Sequence, residues 1–301
     1  MSILVVGSVG LDDVKTHVGE VENALGGSAI YFSTAASFFY DSIRLVAVVG
    51  DDFPQEHIDF LEARGIGLEG LEQIEGGKTF RWGGDYTGDL NAAKTLFTDL
   101  NVYGDFDPKL PATYKDTPYV FLANINPELQ LNVLRQATAA KLIVCDTMNL
   151  WIDISLDALM QTLGEVDILI LNDGEARLLT GEDNLIRAGK QILTYGPDRV
   201  VIKKGEHGAI TLTDSTFFAA PAYPLESVSD PTGAGDSFAG GFLGYLASVE
   251  EITEAAIRKA IIYGTVIASF NVEDFSLNRQ RRLTRSDIED RYHQLYEAAL
   301  F

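Results

Sequence analysis

Short, uninterrupted runs of β-branched and aliphatic residues alternate with helical spacings along this 301-residue chain, and the alternation limits the folds open to it. The runs are Ile3 to Val6, Ile43 to Val49, Tyr119 to Ala123, Leu142 to Cys145, Val166 to Leu171 and Val200 to Lys203. Between them, residues 53–64, 128–140, 155–163, 174–180 and 184–195 read as helices. A strand that is apolar on both sides is covered on both faces. The pattern therefore predicts a mostly parallel central sheet between two helical layers, a three-layer α/β/α architecture. Residues 209–220 read as two short strands turning at Asp214-Ser215, and apolar helices follow near residues 237–247 and 255–270. Arg279-Gln280-Arg281-Arg282 reads as a solvated turn before a last helix at residues 286–299.

One stretch breaks the pattern. From Lys78 to about Tyr103 the segments TFRWGGDY and TLFTDLNVY are aromatic and β-branched, with the turn-rich Thr87 to Asn91 between them. This predicts an antiparallel hairpin inserted into the βα chain. We expect one domain over residues 1–301, with a small β lid built from about residues 13–25 and 78–103. Such a lid has an apolar face that needs cover, so a homodimer through the lid is expected.

Composition removes several function classes. The chain has 44 acidic and 23 basic residues, a net charge of −21, which disfavours nucleic acid and anionic membranes as partners. The single cysteine, Cys145, excludes an internal disulfide and a cysteine-based zinc site. It sits in an apolar strand and reads as inert core. His17, His57, His207 and His293 have no metal-ligand spacing. No apolar run reaches the length of a membrane span, and the N-terminus lacks a basic leader, so a cytoplasmic protein is expected. Gly7-Ser8-Val9-Gly10 lacks the dinucleotide-binding glycine pattern, and Gly77-Lys78-Thr79 has Glu72 where a P-loop needs glycine.

Ligands of such sheets sit at the carboxyl ends of the strands. Asp12, Asp146 with Asn149, Asn172 with Glu175, and Lys204 all follow predicted strands and are expected to converge. Of the adjacent Asp12 and Asp13, two readings stand: one of them meets a ligand's hydroxyls, or both belong to a solvated turn. The most informative string is Asp230-Pro231-Thr232-Gly233-Ala234-Gly235-Asp236, a glycine-rich turn running into an apolar helix. Unpaired N–H groups at a helix start suit an anion, and a carboxylate beside them is placed to take a proton from an attacking hydroxyl.

Four strings in order resemble the ribokinase-like (PfkB-type) carbohydrate and nucleoside kinases over nearly the whole chain. They are Leu25-Gly26-Gly27-Ser28-Ala29, Asn172-Asp173-Gly174-Glu175, Lys204-Gly205-Glu206-His207-Gly208 and the 230–236 string, with Pro231 where the family usually has threonine. The resemblance implies transfer of the γ-phosphoryl group of ATP to a hydroxymethyl group. Asp236 would be the base, and the N–H groups of Gly233, Ala234 and Gly235 would hold the developing charge. Glu175 and Asn172 would organise Mg²⁺ through water. Asn172, Lys204, Gly205, Gly208 and Thr232 would contact the nucleotide. Asp12, Gly26, Gly27, Ser28 and Asn149 would bind the acceptor, and Asp230 would lie at a monovalent-cation site such as one for K⁺.

The acceptor is a sugar or a nucleoside. Sugar-specific relatives often carry lysine and asparagine after the Gly-Gly pair, where this chain has Ser28 and Tyr31. The lid aromatics Phe80, Trp82 and Tyr86 either stack on a nucleobase or pack within the lid or a dimer interface. Trp151 has the same two readings. These features lean toward a nucleoside. The rival from another class is a catalytically silent ligand-binding or regulatory protein on the same fold, which has no chemical need for Asp236.

Overall fold

The computed structural model describes residues 2–300. The chain opens with β1 (Ile3–Val6), β2 (Gly10–Thr16) and β3 (Gly19–Gly26), then α1 (Ser28–Ala36), β4 (Ile43–Gly50) and α2 (Gln55–Ala63). Next come β5 (Ile66–Ile74), β6 (Phe80–Asp85), β7 (Lys94–Asp99), β8 (Tyr119–Leu122) and α3 (Pro127–Gln136). The middle of the chain holds β9 (Leu142–Asp146), α4 (Asn149–Ile154), α5 (Leu156–Leu163), β10 (Ile168–Asn172), α6 (Asp173–Thr180) and α7 (Leu185–Leu193). It ends with β11 (Arg199–Lys203), β12 (Ala209–Leu212), β13 (Phe217–Ala220), α8 (Ala234–Ser248), α9 (Glu254–Asn271), α10 (Asn278–Arg282) and α11 (Arg285–Ala298).

The strands form a nine-stranded sheet, in the order β13-β12-β11-β10-β9-β8-β1-β4-β5, and a four-stranded sheet, β3-β2-β6-β7. From β5 to β11 every neighbour in the large sheet is parallel, and β12 alone is reversed, antiparallel to both β11 and β13. Alternate residues of the central strands supply two cores. Ile3, Val5, Phe121, Val144 and Ile170 pack with residues of α1, α2, α8 and α9. Leu4, Val6, Val120, Cys145 and Leu169 pack with residues of α3, α5, α6 and α7. The three-layer expectation and the small lid sheet are both present. In the lid sheet β2/β3 and β6/β7 are antiparallel, joined by a parallel β2/β6 pairing. Edge strand β5, with Gly67, Gly70, Glu69 and Glu72, was not anticipated. Its glycines and charges hide the strand period. Among the described residues no helix is long and apolar enough to cross a membrane.

Helices α1 and α8 approach backbone to backbone. A Cβ at Gly240 would stand 2.7 Å from Ala35 Cβ, and one at Gly244 would stand 2.9 Å from Ala36 Cα. Small residues on both sides make this seam, and it brings the start of α8 beside the start of α1. Thr79, of the rejected P-loop string, is fully buried and structural: its hydroxyl accepts from Gly50 N at 3.1 Å.

The Arg279–Arg282 segment corrects the sequence reading, because it is the helix α10 and not a solvated turn. Arg281 and Arg282 are exposed, but Arg279 pairs with Glu273 and lies over the Phe270 ring, and Gln280 is fully buried. Gln280 Nε2 donates to Ser237 Oγ and to Asn271 Oδ1, both at 2.8 Å. Asn271 Nδ2 in turn donates to the carbonyl of Thr232 at 2.8 Å. The glutamine thus ties α10 and α9 to the 230–236 loop. Replacing Gln280 with Ala removes both bonds and leaves Ser237 Oγ and Asn271 Oδ1 only their mutual hydrogen bond at 3.2 Å, and we expect a loss of about 2 kcal/mol in urea unfolding. A change below a few tenths would overturn this anchoring role.

Candidate active site

The 230–236 loop closes directly into the first turn of α8. The apolar pattern put the start of this helix at Ser237, but it begins at Ala234, so Asp236 already lies inside the helix. Gly233 precedes it with φ 73°, a left-handed conformation, and a Cβ there would run into the Tyr31 ring. Glycine alone fits that position. The Ala234 N–H is engaged by Pro231 O at 3.2 Å, whereas those of Gly233 and Gly235 have no backbone partner among the described residues. These N–H groups lie at the positive end of the α8 dipole, a local environment suited to an anion.

A lysine unremarked in the sequence lies beneath the loop. A Cβ at Gly235 would come within 2.8 Å of Lys203 Nζ. Lys203 Nζ is 3.3 Å from Asp146 Oδ2, and the Lys203 position is the register partner of Asn172 across β11 and β10. Burial pulls its ammonium down, but Asp146, Glu175 and Asp236 outweigh that and raise it above its ordinary value. Lys203 therefore stays charged. Asp236 is pushed up to about 7 by burial and by Asp146, with Lys203 opposing. Burial pushes Glu175 up to about 7 as well, again against Lys203. Three carboxylates around one ammonium leave surplus negative charge in a recessed site. Lys204, the expected nucleotide contact, follows at the head of the 205–208 turn, which its backbone N–H closes by donating to Gly208 O at 2.7 Å. The signal for Lys203 was its place as the last residue of a central strand.

Asn172 and Glu175 form the capping box of α6: Glu175 N donates to Asn172 Oδ1 (2.8 Å), and Asn172 N donates to Glu175 Oε2 (2.7 Å). The box fixes the Glu175 carboxylate through Oε2 and leaves Oε1 without a hydrogen bond among the described residues. Among the described residues no group of three or more His, Cys, Asp or Glu side chains is arranged as a metal cage. Hard oxygen donors with surplus charge and no closed cage suit Mg²⁺, which keeps much of its water.

Across the seam stands Asp12. It lies within β2, not in a turn after β1, and the strand parts the two aspartates. Asp13 pairs with Arg81 at 3.0 Å and accepts from Asn23 N at 2.7 Å. Asp12 is 4 % exposed and turned toward the loop, and a Cβ at Gly26 would overlap its carboxylate. Burial, then Asp230, Asp236 and Asp13, push it up to about 8, with a hydrogen bond from Gly27 opposing. Asp230, 1 % exposed, accepts from Thr232 N (2.8 Å) and Ser276 N (3.0 Å). The Tyr31 hydroxyl approaches Ser276 without forming a hydrogen bond of normal geometry, since the Ser276 hydroxyl donates to Leu25 O at 2.6 Å. Ser28 is buried and linked to Ser8 by hydrogen bonds. Asn149 is exposed at the start of α4 and makes no side-chain hydrogen bond among the described residues.

The lid reaches both ends of the cleft. Burial pushes Tyr86 up to about 12, and its hydroxyl approaches Thr232, whose own hydroxyl lacks a formed hydrogen bond. Trp82 meets Tyr86 edge to face at 6.5 Å. Farther along the β6–β7 turn, Asn91 Nδ2 donates to Glu206 at 3.3 Å, and a Cβ at Gly205 would stand 2.6 Å from Asn91 Oδ1.

The acidic cluster carries a stability cost that can be read out. A carboxyl whose folded value is raised binds its proton more tightly when folded, so its contribution to stability falls as pH rises from about 4 toward 8. Asp12→Asn removes that cost. We expect it to stabilise the ligand-free protein on the order of 3 kcal/mol at pH 8.5 and less at pH 5. Urea midpoints at the two pH values measure it, and an equal or reversed effect would contradict the burial of an uncompensated charge.

Comparison with known proteins agrees with this geometry. Residues 2–281 match the pfkB family carbohydrate kinases. The chain is 29% identical over 270 residues to a cytidine kinase of Thermococcus kodakarensis, covering 86% of this chain and 95% of that one. It is 27% identical over 266 residues to a nucleoside kinase of Methanothermobacter thermautotrophicus, covering 87% and 82%. The fold is shared with the crystal structure of the Methanocaldococcus jannaschii nucleoside kinase, with TM-score 0.78, 21% identity and coverage of 98% and 99%. It is shared too with a ribokinase II from E. coli solved with ATP and Mg²⁺, with TM-score 0.80, 19% identity and coverage of 97% and 99%. The chain belongs to the pfkB carbohydrate kinase family, phosphotransferases acting on the hydroxyl groups of sugars and nucleosides.

Proposed function

We propose that this chain transfers the γ-phosphoryl group of ATP to the primary hydroxyl of a nucleoside, with Asp236 as the base. The observation that carries the chemistry is the Asp236 carboxyl, held near neutrality at about 7 in the first turn of α8, beside the free N–H groups of Gly233 and Gly235. A base with that value takes a proton at physiological pH and releases it readily afterwards. Gly233 and Gly235 receive charge that develops on the transferring group, and Lys203 adds a fixed positive charge on the same side. Asp12 holds acceptor hydroxyls across the cleft, as proton donor or acceptor according to its state.

Glu175 and Asn172, with Asp146 nearby, are the groups that would hold Mg²⁺, which supplies charge neutralisation across the phosphates when bound. The turn from Gly205 to Gly208 and Thr232 serve the nucleotide. Asp230, buried with two backbone N–H donors and no basic side chain in ion-pair range among the described residues, suits a monovalent cation. The nucleoside reading draws on the two relatives, on Ser28 and Tyr31 after the Gly-Gly pair, and on Trp82 and Tyr86 above the loop. We read the protein as one cytoplasmic catalytic unit whose β2, β3, β6 and β7 sheet serves as the lid. A second copy covers exposed Val18 and Leu96 on that sheet.

An ATP-consumption screen with Mg²⁺ across nucleosides, ribose and hexoses, with K⁺ or Na⁺, tests acceptor and cation together. Nucleosides should respond most strongly, and turnover of free sugars alone would overturn that reading. On the best acceptor, Asp236→Asn should cost about a thousandfold in kcat with nucleotide binding retained. In the parent enzyme kcat/KM should fall as pH drops through about 7, where the base becomes protonated. Unchanged turnover in the variant would overturn the assignment of Asp236 as the base, and a parent protein that binds ligand without consuming ATP would favour the silent-binder rival. Sedimentation should give a dimer that Leu96→Glu dissociates, and a clean monomer of the parent protein would refute the lid interface.

A further inference from the structure

Asn124 follows the end of β8, between the acceptor side of the cleft and α4. Its carbonyl accepts from Ser28 Oγ at 3.4 Å, and Ser28 follows Gly27, whose N–H bonds Asp12. Its side-chain amide is held in one orientation. Trp151 Nε1, which can only donate, reaches Asn124 Oδ1 at 2.8 Å. That leaves Nδ2 on the other side, where its only partner among the described residues is Met148 Sδ at 3.2 Å. The assignment of oxygen and nitrogen is fixed here by chemistry, since the reverse would set two donors against each other.

A thioether is a weak acceptor, and an amide nitrogen carries two N–H groups. Asn124 is thus half-buried, rigidly oriented and left with donor capacity that the protein does not use. If its purpose were only to pin α4 to β8, the Trp151 bond would suffice. We infer that Asn124 reads the acceptor's base, donating through Nδ2 to a hydrogen-bond acceptor on the nucleobase edge, such as a pyrimidine carbonyl or a purine ring nitrogen. Trp151 is the positioning residue that sets the amide's direction, and Met148 provides a soft wall that does not compete for the proton. The inference rests on the nucleoside reading above.

A group that binds the base equally in ground and transition states changes KM and leaves kcat alone. Asn124→Asp keeps an oxygen for Trp151 but turns the reading atom from donor to acceptor. We expect the KM for cytidine, uridine or adenosine, whichever the parent enzyme prefers, to rise about tenfold to a hundredfold in that variant. kcat and the KM for ATP should stay within about twofold. Trp151→Phe frees the amide and should give a smaller rise in the same KM. Unchanged nucleoside KM values in both variants overturn the inference. A fall in kcat, ATP binding and melting temperature together overturns it as well, because that is the signature of a structural pin. A parent enzyme that phosphorylates sugars and no nucleoside overturns the nucleoside reading, and this inference with it, whereas loss of base selectivity alone leaves that reading intact.

Discussion

The contact of α1 with α8 is the constraint on which the site depends. Each helix starts at one half of the reaction: α1 beside Gly26, Gly27 and Asp12, α8 beside Gly233, Gly235 and Asp236. With larger residues at Gly240 and Gly244 the two helix starts would move apart by about the width of a side chain. The Tyr31 ring fills the corner between them against Gly233. The distance between Asp12 and Asp236, the residues proposed to face the acceptor hydroxyl, is thereby set by van der Waals contact of two backbones, which is stiffer than any network of long side chains. Gln280 and Asn271 brace the loop from behind, so it is held on two sides.

Electrostatics adds the second constraint. The cleft gathers Asp146, Glu175 and Asp236 around the Lys203 ammonium, and Asp12 lies near Asp230 and Asp236. Burial and mutual repulsion raise these carboxyls, which is unfavourable for folding but holds Asp236 near the pH at which a base works. Lys203 offsets part of that charge, and surplus negative charge remains. The site is therefore built to be completed by cations and by hydroxyl donors, and this matches the chemistry of a kinase that binds metal-bearing nucleotide and a polyol.

Much of this was legible in the sequence, for identifiable reasons. Buried parallel strands must be apolar on both sides, so β1, β4, β8, β9, β10 and β11 announced themselves. Asp236 sits in a string with chemical logic of its own, a helix start for an anion. Asn172 and Glu175 were reached from their place after a strand and from the family resemblance, and their capping box emerges only in the fold. Lys203 was passed over because a lysine ending a strand resembles a solvated strand terminus, and only the pairing with Asn172 turns it inward. Gln280 was hidden among three arginines, whose charges suggested water and say nothing of the residue between them. Asn124 and Trp151 are separated by 27 positions, and no local pattern reveals that one amide waits on one indole. Asp12 was found, but its strand was not settled, since Gly10 and two adjacent aspartates fit an extended segment and a solvated turn equally.

The glycine and alanine seam also bears on how such an enzyme changes over time. Its contact surface admits almost no variation, because any added methyl group meets backbone. The residues proposed above to meet the acceptor's base, Asn124, Trp151, Trp82 and Tyr86, lie outside the seam beyond a strand end, on a short helix and in the lid. A substitution among them leaves the spacing of Asp12 and Asp236 untouched. The framework thus separates what must stay fixed for transfer from what is free to drift, and a new acceptor can be adopted without rebuilding the reaction centre.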